Sequence, residues 1–176
     1  IMGMPEEGKS HWNRSRVAIA EYLIGLARAD ATFIAGIDHG FGFPRTYLRR
    51  YGLGSWDAVL DDFVQHWPTH EPHTYVDFVR DRRPPRTGRS NESRLCEKWT
   101  GSAKSVFKFG VQGQVAKSTH AEIPWLRHVR NEVGHRIRFW LFDGWDVPEG
   151  VSVIAEVISP GCWAREHHHE TDGCLH

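Results

Sequence analysis

Apolar residues Val17, Ala20, Leu23, Ile24 and Ala27 recur at three- and four-residue spacing, with Arg14, Arg16, Glu21 and Arg28 between them. This period puts them on one face of a helix running to about Ala29, which Asn13 or Ser15 can cap. Residues 32–37 follow as a continuous apolar run, not an alternating one, and predict a strand covered on both faces. A helix feeding such a strand indicates α/β layers. Pro44 fits the first turn of a short helix from Arg45 to Tyr51, which Gly52 stops. Ser55 caps the next helix, with Asp57 near its positive end. Its apolar stripe is Trp56, Leu60, Phe63 and Trp67, and Pro68 ends it.

Residues 69–99 read as loop, apart from a short strand at 75–79. Gly110 and Gly113 argue against a long helix across residues 106–115. A clear helix begins at Pro124, with Ile123, Leu126, Val129 or Arg130, and Val133 on successive turns, and Gly134 closes it. Residues 137–142 form a second strand, 143–148 a turn, and 151–158 a third strand. There is no internal repeat. The pattern predicts one α/β domain over residues 1–161, with 162–176 as a disordered tail.

Composition changes this picture little. Lysine and arginine (22) balance aspartate and glutamate (22), so no global field draws the chain to nucleic acid or membrane. No stretch approaches the roughly 20 apolar residues of a spanning helix, and the start lacks a signal-peptide pattern. Cys96, Cys162 and Cys174 are sparse and odd in number, so a reducing cytoplasm is the expected compartment. Charge is uneven only locally. Arg80, Arg82, Arg83, Arg86, Arg89 and Arg94 face Asp81 and Glu92 alone, a stripe suited to a nucleic-acid backbone or simply to a solvated loop.

Two strands each carry one acidic residue near the end where the chain turns: Asp38 before a glycine-rich bend, and Glu156 before Pro160. Ligands of open α/β sheets bind at the carboxyl ends of strands. Hard cations such as Mg²⁺ take oxygen ligands and retain several waters, so two or three carboxylates suffice. Alternatively, Asp38 caps its own turn, and Glu156 lies on the wet face of an edge strand. Asp143 and Asp146 could join the cluster or serve their turn. Lys117, Ser118 and His120 form a polar group ahead of the helix at Pro124 and could meet a phosphate. His167, His168 and His169 match no zinc-ligand spacing. The glycine loops of nucleotide-binding folds and the Gly-x-Ser-x-Gly elbow are absent from the sequence.

Several short motifs occur together: Trp12 before the first helix, Gly36-Ile37-Asp38 with Phe41-Gly42-Phe43-Pro44 behind it, residues 115–120 leading to Ile123-Pro124-Trp125-Leu126, and Ala155-Glu156-Val157 before Pro160. With these the chain resembles an uncharacterised bacterial family predicted to have a ribonuclease-H-like nuclease fold. The resemblance spans roughly residues 12–160. It implies a mixed sheet flanked by helices and a carboxylate cluster for Mg²⁺ or Mn²⁺, with Asp38 and Glu156 at the family's acidic positions. Such folds begin with a strand hairpin carrying another aspartate and end in a helix with a late acidic residue. Neither is legible here, so the chain is expected to be a member truncated at the front and altered at the back. The implied activity is divalent-metal-dependent phosphodiester cleavage, with Asp38 and Glu156 as catalytic and metal-binding residues, Asp143 as a further ligand, Lys117, Ser118 and His120 toward substrate, and nucleic acid as partner. The alternative is a non-catalytic nucleic-acid- or protein-binding domain that uses exposed tryptophans and the arginine loop.

Overall fold

The computed structural model describes residues 15–82, 86–99, 103–110 and 115–157. The predicted tail at 162–176, the histidine cluster and the alternative cap Asn13 lie outside them. Helix α1 (Arg16–Arg28) is capped by Ser15, whose Oγ accepts the Ala18 N–H at 3.3 Å. Its buried face is Ala20, Leu23, Ile24 and Ala27, as the period predicts, whereas Val17 is exposed. Strand β1 is Ile34–Ile37. Helix α2 (Arg45–Tyr51) ends at Gly52, whose φ of 67° is a left-handed conformation that glycine adopts without a side-chain clash. Helix α3 (Trp56–His66) is capped by Ser55, whose Oγ accepts the Ala58 N–H at 3.1 Å.

The segment expected to be loop with one strand contains two short helices, α4 (Val76–Arg82) and α5 (Leu95–Trp99). Residues 75–79 are too short a run to separate strand from helix by composition. The fold settles it: Val76 and Val79 are buried at helical spacing, and the Val79 N–H donates to the Tyr75 carbonyl at 3.0 Å. Helix α6 is Val115–Val133 and carries Pro124 inside it, so it begins nine residues before the start that Pro124 suggests. Pro124 has no N–H for the His120 carbonyl one turn back. The Thr69 hydroxyl reaches that region instead, donating to Ala121 O at 3.0 Å and His120 O at 3.4 Å.

A 3₁₀ turn (Gly134–Arg136) leads into β2 (Ile137–Trp140), and β3 is Ser152–Glu156. The strand order is β1-β3-β2, and both pairings are parallel. The expected α/β layering is therefore present, while the described strands are wholly parallel instead of mixed. Residues 141–151 carry the chain back to the start of β3, where a hairpin would have reversed it.

Register sets the two faces of the sheet. Ala35 and Ile37 pair with Ile154 and Glu156, and Ile137 and Phe139 pair with Ser152 and Ile154. Ile137, Phe139 and Ile154 from this set join Leu23, Ile24, Leu126, Val129 and Val133 in the hydrophobic core. Ile34, Gly36, Ala155, Val157, Arg138 and Trp140 fall on the other face by strand alternation. The apolar run of β1 led us to expect cover on both faces; instead Ile34 is 84% exposed and Gly36 is exposed. The described residues include no helix long and apolar enough to cross a membrane.

Candidate functional site at the carboxyl end of the sheet

Glu156 stands on the central strand, not on an edge, and faces the helix-covered side. A lone carboxylate there would be costly, and the chain supplies two donors that make three contacts. The Phe41 N–H donates to Oε2 at 2.9 Å, and Arg94 Nη1 lies 2.7 Å from Oε1 and 2.9 Å from Oε2. Arg94 is itself seated by Glu97: its Nε donates to Oε1 at 2.7 Å, and its backbone N–H to Oε2 at 2.8 Å. That second bond is the reach-back of a glutamate three residues into a helix. The side chains of Arg94, Glu97 and Glu156 are 13%, 2% and 22% exposed. Burial works against the Arg94 charge, but the Glu156 and Glu97 carboxylates outweigh it and hold the guanidinium above its ordinary pKa.

The glycine-rich bend after β1 is shaped to admit this arginine. A Cβ on Gly40 would sit 3.2 Å from Arg94 Nη1 and 3.0 Å from Val106 Cγ1, a tight fit in which those side chains would have to give by a few tenths of an ångström. The Gly40 N–H donates to Thr119 Oγ1 on α6 at 3.0 Å. His39 is buried, and its Nδ1–H donates to the Gly40 carbonyl at 3.2 Å. Burial pulls its pKa down to about 4; the Gly40 bond opposes this, while the charges of Arg16 and Arg94 add to it.

The other expected site residues separate in space. Asp38 is the first residue of the bend, exposed, with no hydrogen bond or ion pair to a described residue. Its backbone follows Ile37, the register partner of Glu156, yet the Glu156 carboxylate is turned to Phe41 and Arg94 on the covered side. Asp143 is held by Arg130, with Nη1 to Oδ2 at 2.9 Å, and its Oδ2 accepts the Phe139 N–H at 2.8 Å. Asp146 is exposed. Lys117, Ser118 and His120 lie within α6 and not ahead of a helix. Lys117 Nζ pairs with Asp77 at 2.7 Å, and Ser118 Oγ donates to Val115 O at 3.0 Å. His120 is fully buried among the rings of Phe43, Phe63, Trp67, Phe107 and Phe109, and its Nδ1–H donates to Ala116 O at 2.8 Å. Among the described residues no group of three or more His, Cys, Asp or Glu side chains gathers to hold a metal ion.

Three arginines of the stripe, Arg80, Arg86 and Arg94, are likewise engaged in ion pairs. Arg80 pairs with Asp77 and Asp81, Arg86 with buried Asp62, and Arg94 as above. Sequence reading placed Arg94 in that stripe and missed it as the partner of Glu156. The only local signal was Arg94-x-x-Glu97, because a separation of 62 positions between Arg94 and Glu156 hides their pairing. Compared with protein-family models, curated proteins and solved structures, the chain matches none. Fold and site together define a parallel α/β domain with a guanidinium-centred carboxylate cluster at the carboxyl end of its sheet.

Proposed function

We propose that this chain is a non-catalytic interaction domain that binds polypeptide through the edge of β1 that no other described strand pairs, and that the partner is a second copy of the chain. The observation that carries this reading is Ile34, 84% exposed on an edge strand. The carbonyls of Phe33 and Ile37 accept from the N–H groups of Val153 and Val157, so the backbone groups of Ile34 and Gly36 point outward by alternation. Two β1 strands running antiparallel about a two-fold axis at Ala35 place Ile34 opposite Gly36 in both directions, and each such pair exchanges two backbone hydrogen bonds. The large side chain of one copy then lies where the other has none, beside Val157, whose Cγ1 is 2.8 Å from a Cβ built on Gly36. Charges match because there are none along Ile34–Ile37, and the strand lacks the lysine or proline that usually guards an edge. The absence of charge there favours polypeptide over nucleic acid. Sedimentation velocity over a concentration series tests the reading. The parent should dimerise with concentration, and Ile34→Lys should remain monomeric with an unchanged melting midpoint. A parent that stays monomeric, or a dimer indifferent to Ile34→Lys, overturns it.

A second reading is favoured by one observation: Asp38 and Glu156 reach the carboxyl end of adjacent parallel strands. On this reading the chain is a ribonuclease-H-like, divalent-metal-dependent phosphodiester hydrolase. Asp38, Glu156 and Asp143 would ligate Mg²⁺ or Mn²⁺, and Lys117, Ser118 and His120 would serve the substrate. Carboxylate oxygens are the right donor type, but as arranged the donor set does not fit. Glu156 holds Arg94, Asp143 holds Arg130, and His120 is enclosed. Titrating Mg²⁺ and Mn²⁺ into the parent, Asp38→Asn and Glu156→Gln, with cleavage of mixed nucleic-acid substrates, tests it. Metal stabilisation and cleavage that both need the two carboxylates would establish it, and their absence would remove it.

A further inference from the structure

We infer that the carboxyl end of the sheet is built around a permanent organic cation, the Arg94 guanidinium, in the place beside Glu156 where the resemblance implies a divalent metal. The inference concerns α5 and the bend after β1, and does not depend on how the β1 edge is used. One guanidinium meets two carboxylates, through Nη1 to both oxygens of Glu156 and through Nε to Glu97. Glu97 is nearly enclosed, so the site is walled on the α5 side. Gly40 provides the clearance on the β1 side, and the Phe41 N–H takes a remaining lone pair of Glu156. A guanidinium offers five donors in a fixed plane, so it can satisfy two carboxylates at once. An incoming metal would have to displace this seated charge and share Glu156 with it. Arg94 is therefore a positioning residue: it fastens α5 and the β1 bend to the central strand, and it excludes a divalent ion from Glu156.

The test uses the full chain, Mn²⁺, and methylguanidinium as a probe of the vacated space. Calorimetric titration and melting should reveal no Mn²⁺ uptake at Glu156 in the parent. Arg94→Ala should melt about 10 °C lower, as expected when one member of a largely buried pair is removed. Millimolar Mn²⁺ or methylguanidinium should restore much of that loss, whereas sodium at equal ionic strength should not. If Arg94→Ala does not fold, Arg94→Lys decides, because one ammonium cannot reproduce the planar fork and a lower midpoint is expected. Parent Mn²⁺ uptake that Glu156→Gln abolishes would overturn the inference. So would an Arg94 variant that melts with the parent.

Discussion

Arg94 and Glu156, 62 residues apart in sequence, share a forked contact of 2.7 and 2.9 Å that ties the central one of the three described strands to the helix-rich half of the chain. The bond joins two residues that no local sequence pattern connects. It makes Glu156 part of the fold's scaffold, while Asp38, one strand over, stays in solvent.

Replacing Glu156 should therefore be costly. Glu156→Leu leaves Arg94 facing Glu97 alone and the Phe41 N–H without an acceptor, for a loss of about 3 kcal/mol in urea unfolding. Glu156→Gln keeps an acceptor for Phe41 and should lose less. Equal stability for the parent and Glu156→Leu would show that the pair contributes nothing.

Asp38→Asn should leave the melting midpoint where it is, because a substitution at an exposed side chain without a described partner seldom moves stability by more than about 0.5 kcal/mol. A substantial rise in midpoint would mean that Asp38 stands near other negative charge and is strained there.

Acid should destabilise the fold well above the carboxylate range. His39 and His120 titrate at about 4 when folded, chiefly through burial, against an ordinary value of 6.5. Between those values the unfolded chain binds more protons. Their contribution is thus complete above about pH 6.5, and it falls as pH drops toward 4, by about 1.4 kcal/mol per pH unit for each ring. Asp62 and Glu122, whose carboxyls are pushed upward by burial, act in the opposite sense and soften the decline. Urea midpoints from pH 7 to 4.5 measure the slope, and His120→Phe should reduce it by about one proton. A flat profile in the parent would contradict the buried, neutral imidazoles.

Thr69→Val removes the hydroxyl that serves the carbonyls near Pro124 and should cost about 1 kcal/mol. Amide exchange should rise within α6 around residues 120–125 and not at its ends. Uniform change along the helix would assign the loss to packing instead.

Gly40→Ala should weaken the same end of the sheet that Arg94 fastens, because its methyl group would press on Arg94 and Val106. A double variant with Arg94→Ala should cost less than the two losses added, since the guanidinium is one of the two groups the methyl meets. Simple additivity would place the clash elsewhere.

Where the signal was local, sequence alone determined much of this protein. The helices capped by Ser15 and Ser55, the short helix stopped by Gly52, and the three strand segments follow from caps, breakers and apolar period. The sequence also placed Glu156 near the end of an apolar strand, where a carboxylate has few tolerable settings. Tertiary structure decided the rest. Whether 75–79 was strand or helix depended on which valines found a core, and α6 continues through Pro124 with Thr69 donating to the carbonyls beside it. The direction of β2 against β3 depended on the path of residues 141–151. Above all, only folding could choose the partner of Glu156. A charge buried at a strand end needs an opposite charge, but nothing along the chain says that it comes from Arg94 and not from a metal.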